Sequence, residues 1–312
     1  VGYGTLDKKE VTSAITHLNG KDLNVFGGNG VLNALAGKVA GLSVVNTGQS
    51  DPNSSPSLQL RGVSSRNAGL GPLYVVNGVP GGNVDNLNQN DIESIDILKG
   101  GAASAIYGTR GSNGVIIITT KKGTSEPYAF YDGYASFDLP NNRIQVLSAE
   151  DFLKHNRGTD FGGNTNWFNE VSRKFAFNQK NTLQLAGGNR QTNYIVSFDL
   201  RNAHGLDLRS DKKEYGARLN LSHTSANNLY TATVTIAPRF LKANNASYNA
   251  FNQSLTLNPT LPVMDAKNPN LFNYINTGFS GAYNPVEELR TVLDGTEGKY
   301  LDWNAAFKLN IL

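Results

Sequence analysis

The residues with the clearest chemical potential lie in one stretch, "DIESIDILKGGAASAIYGTRGSNGVIIITTKKG", Asp91 to Gly123. Asp91, Glu93 and Asp96 are close enough in sequence to suggest an acid–base pair. Their placement before and along an alternating apolar run argues instead for carboxylates that cap and solubilise a strand. Gly100–Gly111, "GGAASAIYGTRG", has the glycine density of a phosphate cradle. Neither GxGxxG nor GxxxxGK[ST] spacing is present, and Lys99 precedes the glycines where a phosphate loop places its lysine after them. Ala102, Ala103 and Ala105 instead suit a short helix packed closely on a sheet. Gly108, Gly111 and Gly114 would then supply the positive-φ turns that return the next strand to that sheet. The four histidines, His17, His155, His204 and His223, show no HxxxH or HExxH spacing, and cysteine is absent. Neither a metal site, a disulfide framework, a bound cofactor nor catalysis is expected.

The elements that hold these residues follow from composition. Apolar residues make up 39% of the chain and charged residues only 17%, with 33 glycines and many Asn, Ser and Thr. That balance favours strands and tight turns over helices. A net charge of +3, dispersed along the chain, gives no footprint for nucleic acid. The apolar run near Val115–Ile118 is far short of the ~20 residues that a membrane helix needs, but barrel strands need only ~10 alternating residues each. A first residue of Val1 rather than Met, with no visible signal peptide, suggests a processed or trimmed form.

Residues 1 to about 122 read as a small α/β unit. Gly30–Val39 places Val31, Leu32, Leu35 and Val39 on one helical face, a short helix. Strand-like segments follow at 41–46, 57–62, 72–78, 94–100 and 114–122, punctuated by Asp51-Pro52, Gly71-Pro72 and Asn77-Gly78-Val79-Pro80. After Gly123 the period becomes two. Tyr194, Val196, Phe198 and Leu200 alternate with Asn193, Ser197, Asp199 and Arg201. Tyr215, Ala217, Leu219 and Leu221 alternate with Gly216, Arg218, Asn220 and Ser222. Segments 129–139, 230–236 and 301–311 repeat the pattern. Two architectures share this signature. One is an antiparallel sheet with its apolar face on a soluble core; the other is a membrane barrel with apolar residues toward lipid and polar ones toward a wet lumen. Aromatic residues near strand ends (Tyr194, Tyr215, Tyr230, Trp303) suit a membrane girdle and are also common in soluble strands. Periodicity leaves both open.

Several blocks in order carry a family resemblance. They are "VGYGT" (Val1–Thr5), "LNALAGKVAGLSVV" (Leu32–Val45), "LQLRGVSSRNAGLGPLYVVNGVP" (Leu58–Pro80) and "LNQNDIESIDILKGGAASAIYGTRGSNGVIIITTKKG" (Leu87–Gly123). Later come "NTNWFNEVSR" (Asn164–Arg173), "LAGGNRQTNYIVSFD" (Leu185–Asp199) and "NPTLPVMD" (Asn258–Asp265). The chain resembles the SusC/RagA-type TonB-dependent outer-membrane transporters of Bacteroidota, with Asn77 where the family usually has Asp. The resemblance implies a mainly β protein. Residues 1–10 would be a remnant of the TonB-box region, 11–122 a small α/β plug domain, and 123–312 the first six or so strands of a large antiparallel transmembrane β-barrel. That barrel has about 22 strands when complete, so several hundred further residues would follow at ~30 per strand.

The resemblance also implies a function. Substrate binds on the extracellular side between barrel loops, plug and a SusD-like surface lipoprotein acting as a lid. TonB engages an N-terminal peptide from the periplasm, in a stretch just before Val1, Gly2, Tyr3, Gly4 and Thr5, and remodels the plug. The expected activity is import of a nutrient, an oligosaccharide or oligopeptide, across the outer membrane of a Gram-negative cell, with outer-membrane lipid as the surrounding partner. The alternative is a SusC-like barrel serving as a structural subunit of another outer-membrane assembly. Arg61 and Arg110 are candidates for plug–barrel contacts through bidentate guanidinium pairing, or else surface arginines that stabilise turns. Tyr74, Asn77 and Pro80 lie in a loop that the family places toward the substrate. The bland alternative is turn chemistry, with Asn77-Gly78 in left-handed backbone and Pro80 ending a strand.

Overall fold

A computed structural model describes residues 15–23, 30–48, 50–60, 71–141, 144–275 and 283–310. Its N-terminal unit contains β1 (Ile15–Asn19), β2 (Leu42–Val45), β3 (Ser57–Leu60), β4 (Leu73–Val76), β5 (Val79–Pro80), β6 (Ile92–Leu98), α1 (Gly101–Tyr107) and β7 (Val115–Thr120). The main sheet has the order β1-β6-β7-β4-β5, with β4 and β7 parallel and the other pairs antiparallel; β2 and β3 form a separate hairpin. Ile92, Ile95, Ile97, Ile116 and Ile118 are fully buried with Leu23, Val31 and Leu35. Both faces of β7 are covered, so its apolar residues run on without alternation.

The expected helix over Gly30–Val39 does not form. Only a 3₁₀ turn, Asn33–Leu35, is present. Val31, Leu32, Leu35 and Val39 are buried together as anticipated. Gly30 and Gly37, at φ 91° and 73°, bend the chain around them faster than an α-helix would. Helix α1 does form, starting and ending at Gly100 (φ 66°) and Gly108 (φ 60°). Of its three alanines only Ala103 is buried, against Val75, Leu98 and Val115. Gly114 has the positive φ expected of it, but Gly111 does not. Gly111 is needed for closeness instead, because a Cβ there would stand 2.5 Å from the Ala103 carbonyl oxygen.

The second unit is one antiparallel meander: β8 (Tyr128–Asp138), β9 (Ala176–Gly188), β10 (Thr192–His204), β11 (Asp211–Thr224), β12 (Tyr230–Asn244) and β13 (Gly295–Leu309). Each strand is long enough to cross a bilayer. The connections are uneven. At one end they are residues 189–191 and 225–229; at the other they are 139–175, 205–210 and 245–294. The long ones carry α2 (Ala149–Lys154), α3 (Trp167–Glu170), α4 (Tyr248–Thr256) and α5 (Pro285–Thr291). Trp167, Val171, Ala250, Leu261, Val286 and Leu289 pack α3, α4 and α5 into a core of their own.

Burial decides between the two architectures left open by periodicity. Thr182, Gln184, Ser197, Asp199, Glu214, Arg218, Asn220 and Arg239 are buried, while Leu183, Leu185, Phe198, Leu200, Tyr215 and Ile236 are exposed. A soluble sheet would bury the apolar face; this one buries the polar face, which is the arrangement of a membrane barrel wall. On β12 the outward residues from Tyr230 to Phe240 cover about ten positions. At ~3.3 Å each and a tilt near 40°, they span about 25 Å of height, the thickness of an apolar band. Aromatic pairs close both ends: Tyr230 stacks on Phe307 at 5.5 Å, and Phe137 meets Phe177 at 5.2 Å. Trp303 lies mid-band opposite Ile236, not at a strand end as its sequence position suggests.

Candidate functional site

The buried polar face of the wall meets the plug along a seam built from one short turn. Asn88 caps the 3₁₀ turn Gln89–Asp91 by accepting from the Asn90 amide. That leaves its side-chain nitrogen free to donate to Thr182 Oγ1 at 3.0 Å on β9. Asn90 donates to Asp132 on β8 at 2.7 Å. Gln184 donates to both the Asn90 carbonyl (2.8 Å) and Asp91 Oδ1 (2.9 Å). Arg218, on β11, pairs with Asp91 at 3.3 Å. The next segment of the plug joins in, since Asn220 donates to the Lys121 carbonyl at 3.3 Å and the Lys121 amide donates to the Asp91 carbonyl at 2.8 Å. The seam is almost wholly polar. Each contact is one that water could replace.

Nearer the long connections, the wall holds a second ionic group around a polar cavity of about 60 Å³. Glu214 takes Arg201 at 2.9 Å, Lys212 at 3.5 Å and Arg239 at 3.5 Å, and Arg239 also reaches Asp199 at 3.2 Å. Asp199 and Arg239 stand two strands apart, with Gly216 paired between them. A Cβ on Gly216 would come within 2.4 Å of the Asp199 carboxylate, so the missing side chain is what lets the pair close. The plug side of this cavity is formed partly by Ser54, Ser55, Asn88 and Gln89.

Among the described residues, plug residues 50–53 reach the end of the wall that carries the long connections. Asn53 donates to the Asn244 carbonyl at 2.7 Å, the Leu206 amide donates to the Ser50 carbonyl at 3.2 Å, and the Tyr248 hydroxyl of α4 lies 3.5 Å from Asp51. Burial raises the Asp51 carboxyl above its usual range, and neighbouring Asp207 adds to this, against the lowering effect of the Asn53 amide.

Val1–Thr5 and Arg61 lie outside the described residues. Arg110 is exposed on the 3₁₀ turn Gly108–Gly111, its guanidinium 3.5 Å from where a Cβ on Gly81 would stand. Asn77 and Gly78 form the two-residue β4–β5 turn with φ of 50° and 84°, a type I′ arrangement. The Asn77 side chain accepts from the Thr120 amide at 2.9 Å and donates to its hydroxyl at 3.0 Å. Tyr74 is half-buried on β4; burial, and then Asp85, push its phenol up to about 12. Pro80 pairs opposite Val75. The three therefore sit together as turn and sheet chemistry. Of the three carboxylates, Glu93 is exposed and Asp96 pairs with His17 at 2.6 Å. Asp91 does not solubilise a strand but docks the plug. Its partner Arg218 was visible only as a member of a polar face, and Gln184 was not singled out at all, because a period of two says which residues share a side and not what covers it. Among the described residues, no His, Asp and Glu are grouped to hold a metal, and no helix is long and apolar enough to cross a membrane.

The family model for the TonB-dependent receptor plug domain matches residues 7–115. Among curated proteins, the chain is 29% identical to the TonB-dependent receptor SusC of Bacteroides thetaiotaomicron, over 87% of this chain and 29% of that protein. It is 30% identical to the TonB-dependent receptor P26 of Formosa agariphila, over 81% of this chain and 30% of the relative. The chain belongs to the SusC/RagA-type TonB-dependent transporters. It spans about 30% of the length of the SusC and P26 receptors. In fold, the SusC/RagA-type chain superposes on the RagAB peptide importer in its open-open state with a TM-score of 0.84 at 20% identity, covering 100% of this chain and 40% of that one. The siderophore receptor PirA of Acinetobacter baumannii gives 0.51 at 15% identity, over 74% of this chain and 32% of its own. The seam turn Asn88–Asp91 falls within the residues matched by the plug model.

Proposed function

We propose that the complete protein imports a nutrient, an oligosaccharide or oligopeptide, across the outer membrane, and that work from the TonB motor loosens the plug. The observation that carries this reading is the chemistry of the seam. Among the described residues, the Asn88–Asp91 turn is held to the wall by hydrogen bonds and the Asp91–Arg218 ion pair. Water entering the lumen can take over those contacts one at a time, so a modest pull moves the plug without unfolding the wall. Residues 50–53 support the same reading, since Asp51 lies beside Tyr248 of the loop-borne helix α4, on the side where cargo and a SusD-like lipoprotein would arrive. TonB would engage the chain before Val1–Thr5 by adding a strand along an extended peptide. Arg61 and Arg110 are proposed as further plug–barrel contacts, through guanidinium pairing with carboxylates or carbonyls. Tyr74, Asn77 and Pro80 are proposed to shape the plug surface that cargo passes, through turn geometry.

The test is purification of the full-length protein from native membranes, followed by identification of what comes with it. A SusD-like lipoprotein with bound glycan or peptide is the expected result. Co-purifying secretion or insertion machinery, with no lipoprotein lid and no solute, would favour the structural-subunit role and end the import reading.

A further inference from the structure

The outward face of the wall changes character just beyond its upper aromatic ring, at the end with the long connections. Across β10 to β13 one row reads Leu200, Tyr215, Phe240 and Lys299; the next row reads Asn202, Lys213, Lys242 and Glu297. Lys213, Lys242 and Lys299 are all exposed. Lys213 stands directly opposite Lys242, a like-charge pairing that a sheet ordinarily avoids. Glu297 pairs with Lys242 at 2.8 Å and also attracts Lys299, two residues along its own strand, and Asp211, one row higher, is held by Asn244 at 2.9 Å. Among the described residues no carboxylate pairs with Lys213, so the three ammonium groups share the single carboxylate of Glu297. Two positions along a tilted strand lift Lys242 about 5 Å above the Phe240 ring. The ammonium groups therefore lie at headgroup depth, where long lysine stems rest on apolar surface and the charge reaches the interface.

We propose that Lys213, Lys242 and Lys299 form a binding site for the phosphorylated headgroup of a membrane lipid in the leaflet on the long-connection side. An acceptor with several anionic oxygens resolves the Lys213–Lys242 repulsion, and its acyl chains continue down over Leu200, Tyr215 and Phe240. The inference rests on the chain's being a membrane wall, and it is independent of what the transporter carries.

The probe is bisphosphorylated lipid A, compared with its dephosphorylated form, titrated onto full-length protein in detergent and read by native mass spectrometry. Wild type should bind the phosphorylated lipid about tenfold or more tightly than the dephosphorylated one. The K213Q/K242Q/K299Q variant should lose that preference while keeping its folded mobility and its binding of the dephosphorylated lipid. Equal affinity for the two lipids, or a preference untouched by the triple variant, overturns the site. Displacement by millimolar inorganic phosphate would assign the lysines to a free anion and also overturn it. A protein that binds neither lipid and is soluble without detergent would instead defeat the membrane reading itself, so the two failures are distinct.

Discussion

Asp91 has only 4% of its surface exposed, and Arg218 answers it across the seam. Removing one partner of a buried pair leaves the other desolvated and uncompensated, at a cost of about 3 kcal/mol. D91A and R218A should each lower the unfolding free energy of the full-length protein in detergent by about this amount. The double variant should be less damaged than the sum of the two, because no stranded charge is left. Strict additivity would show that the pair does not couple. Asp51 carries the opposite prediction. Its carboxyl is raised by burial, so at neutral pH the folded state holds an anion that the unfolded chain solvates better. The raised value means that this residue's stabilising contribution is greatest in acid and is lost as pH rises through the folded-state pKa. D51N should therefore be more stable than wild type at pH 7, with the gain vanishing below about pH 4. A gain that persists in acid would trace to something other than ionisation.

At the scale of the strand, alternation becomes a statement about two solvents. On β10, Phe198 points out and Ser197 points in, one residue apart. Phe198→Lys puts a cation in the apolar band and should cost about 2–4 kcal/mol in folding into lipid vesicles. Ser197→Ala, on the lumenal face, should cost far less. A similar cost at both positions would mean that the two faces meet the same medium. The hairpin β4–β5 makes the complementary point for turns. Asn77-Gly78 was legible as a turn from residue type alone, because only a few residues accept left-handed backbone. That the Asn77 amide also fastens Thr120, 43 residues on, was not legible.

For the whole molecule, the question is whether the plug must move as a body. Asn88 and Thr182 touch across the seam at 3.0 Å, and the chain contains no cysteine to confuse a cross-link. Cysteines at these two positions, joined by a short cleavable bifunctional reagent, tie the plug turn to β9. Uptake by the full-length transporter should stop on cross-linking and return on cleavage. Undiminished uptake with the tether in place would require a path that leaves the Asn88–Asp91 turn seated.

Local patterns sufficed for the alternation past Gly123, the isoleucine strand β7, the α1 helix between glycines, and the block order that marks the family. All of these depend on a residue and its near neighbours, through periodicity, backbone permissiveness and propensity. The fate of Gly30–Val39 was misread for the same reason: its apolar spacing suits a helix, but the glycines and the packing above them favour a tighter turn. Only the tertiary structure decided which face of each strand is covered. It alone turned Asp91 from a strand-capping acid into an anchor, let Asp199 reach Arg239 over Gly216, and set Lys213 beside Lys242. Burial, ion pairing and solvent are properties of surfaces brought together from distant parts of the chain, and a period of two does not say what lies on either side.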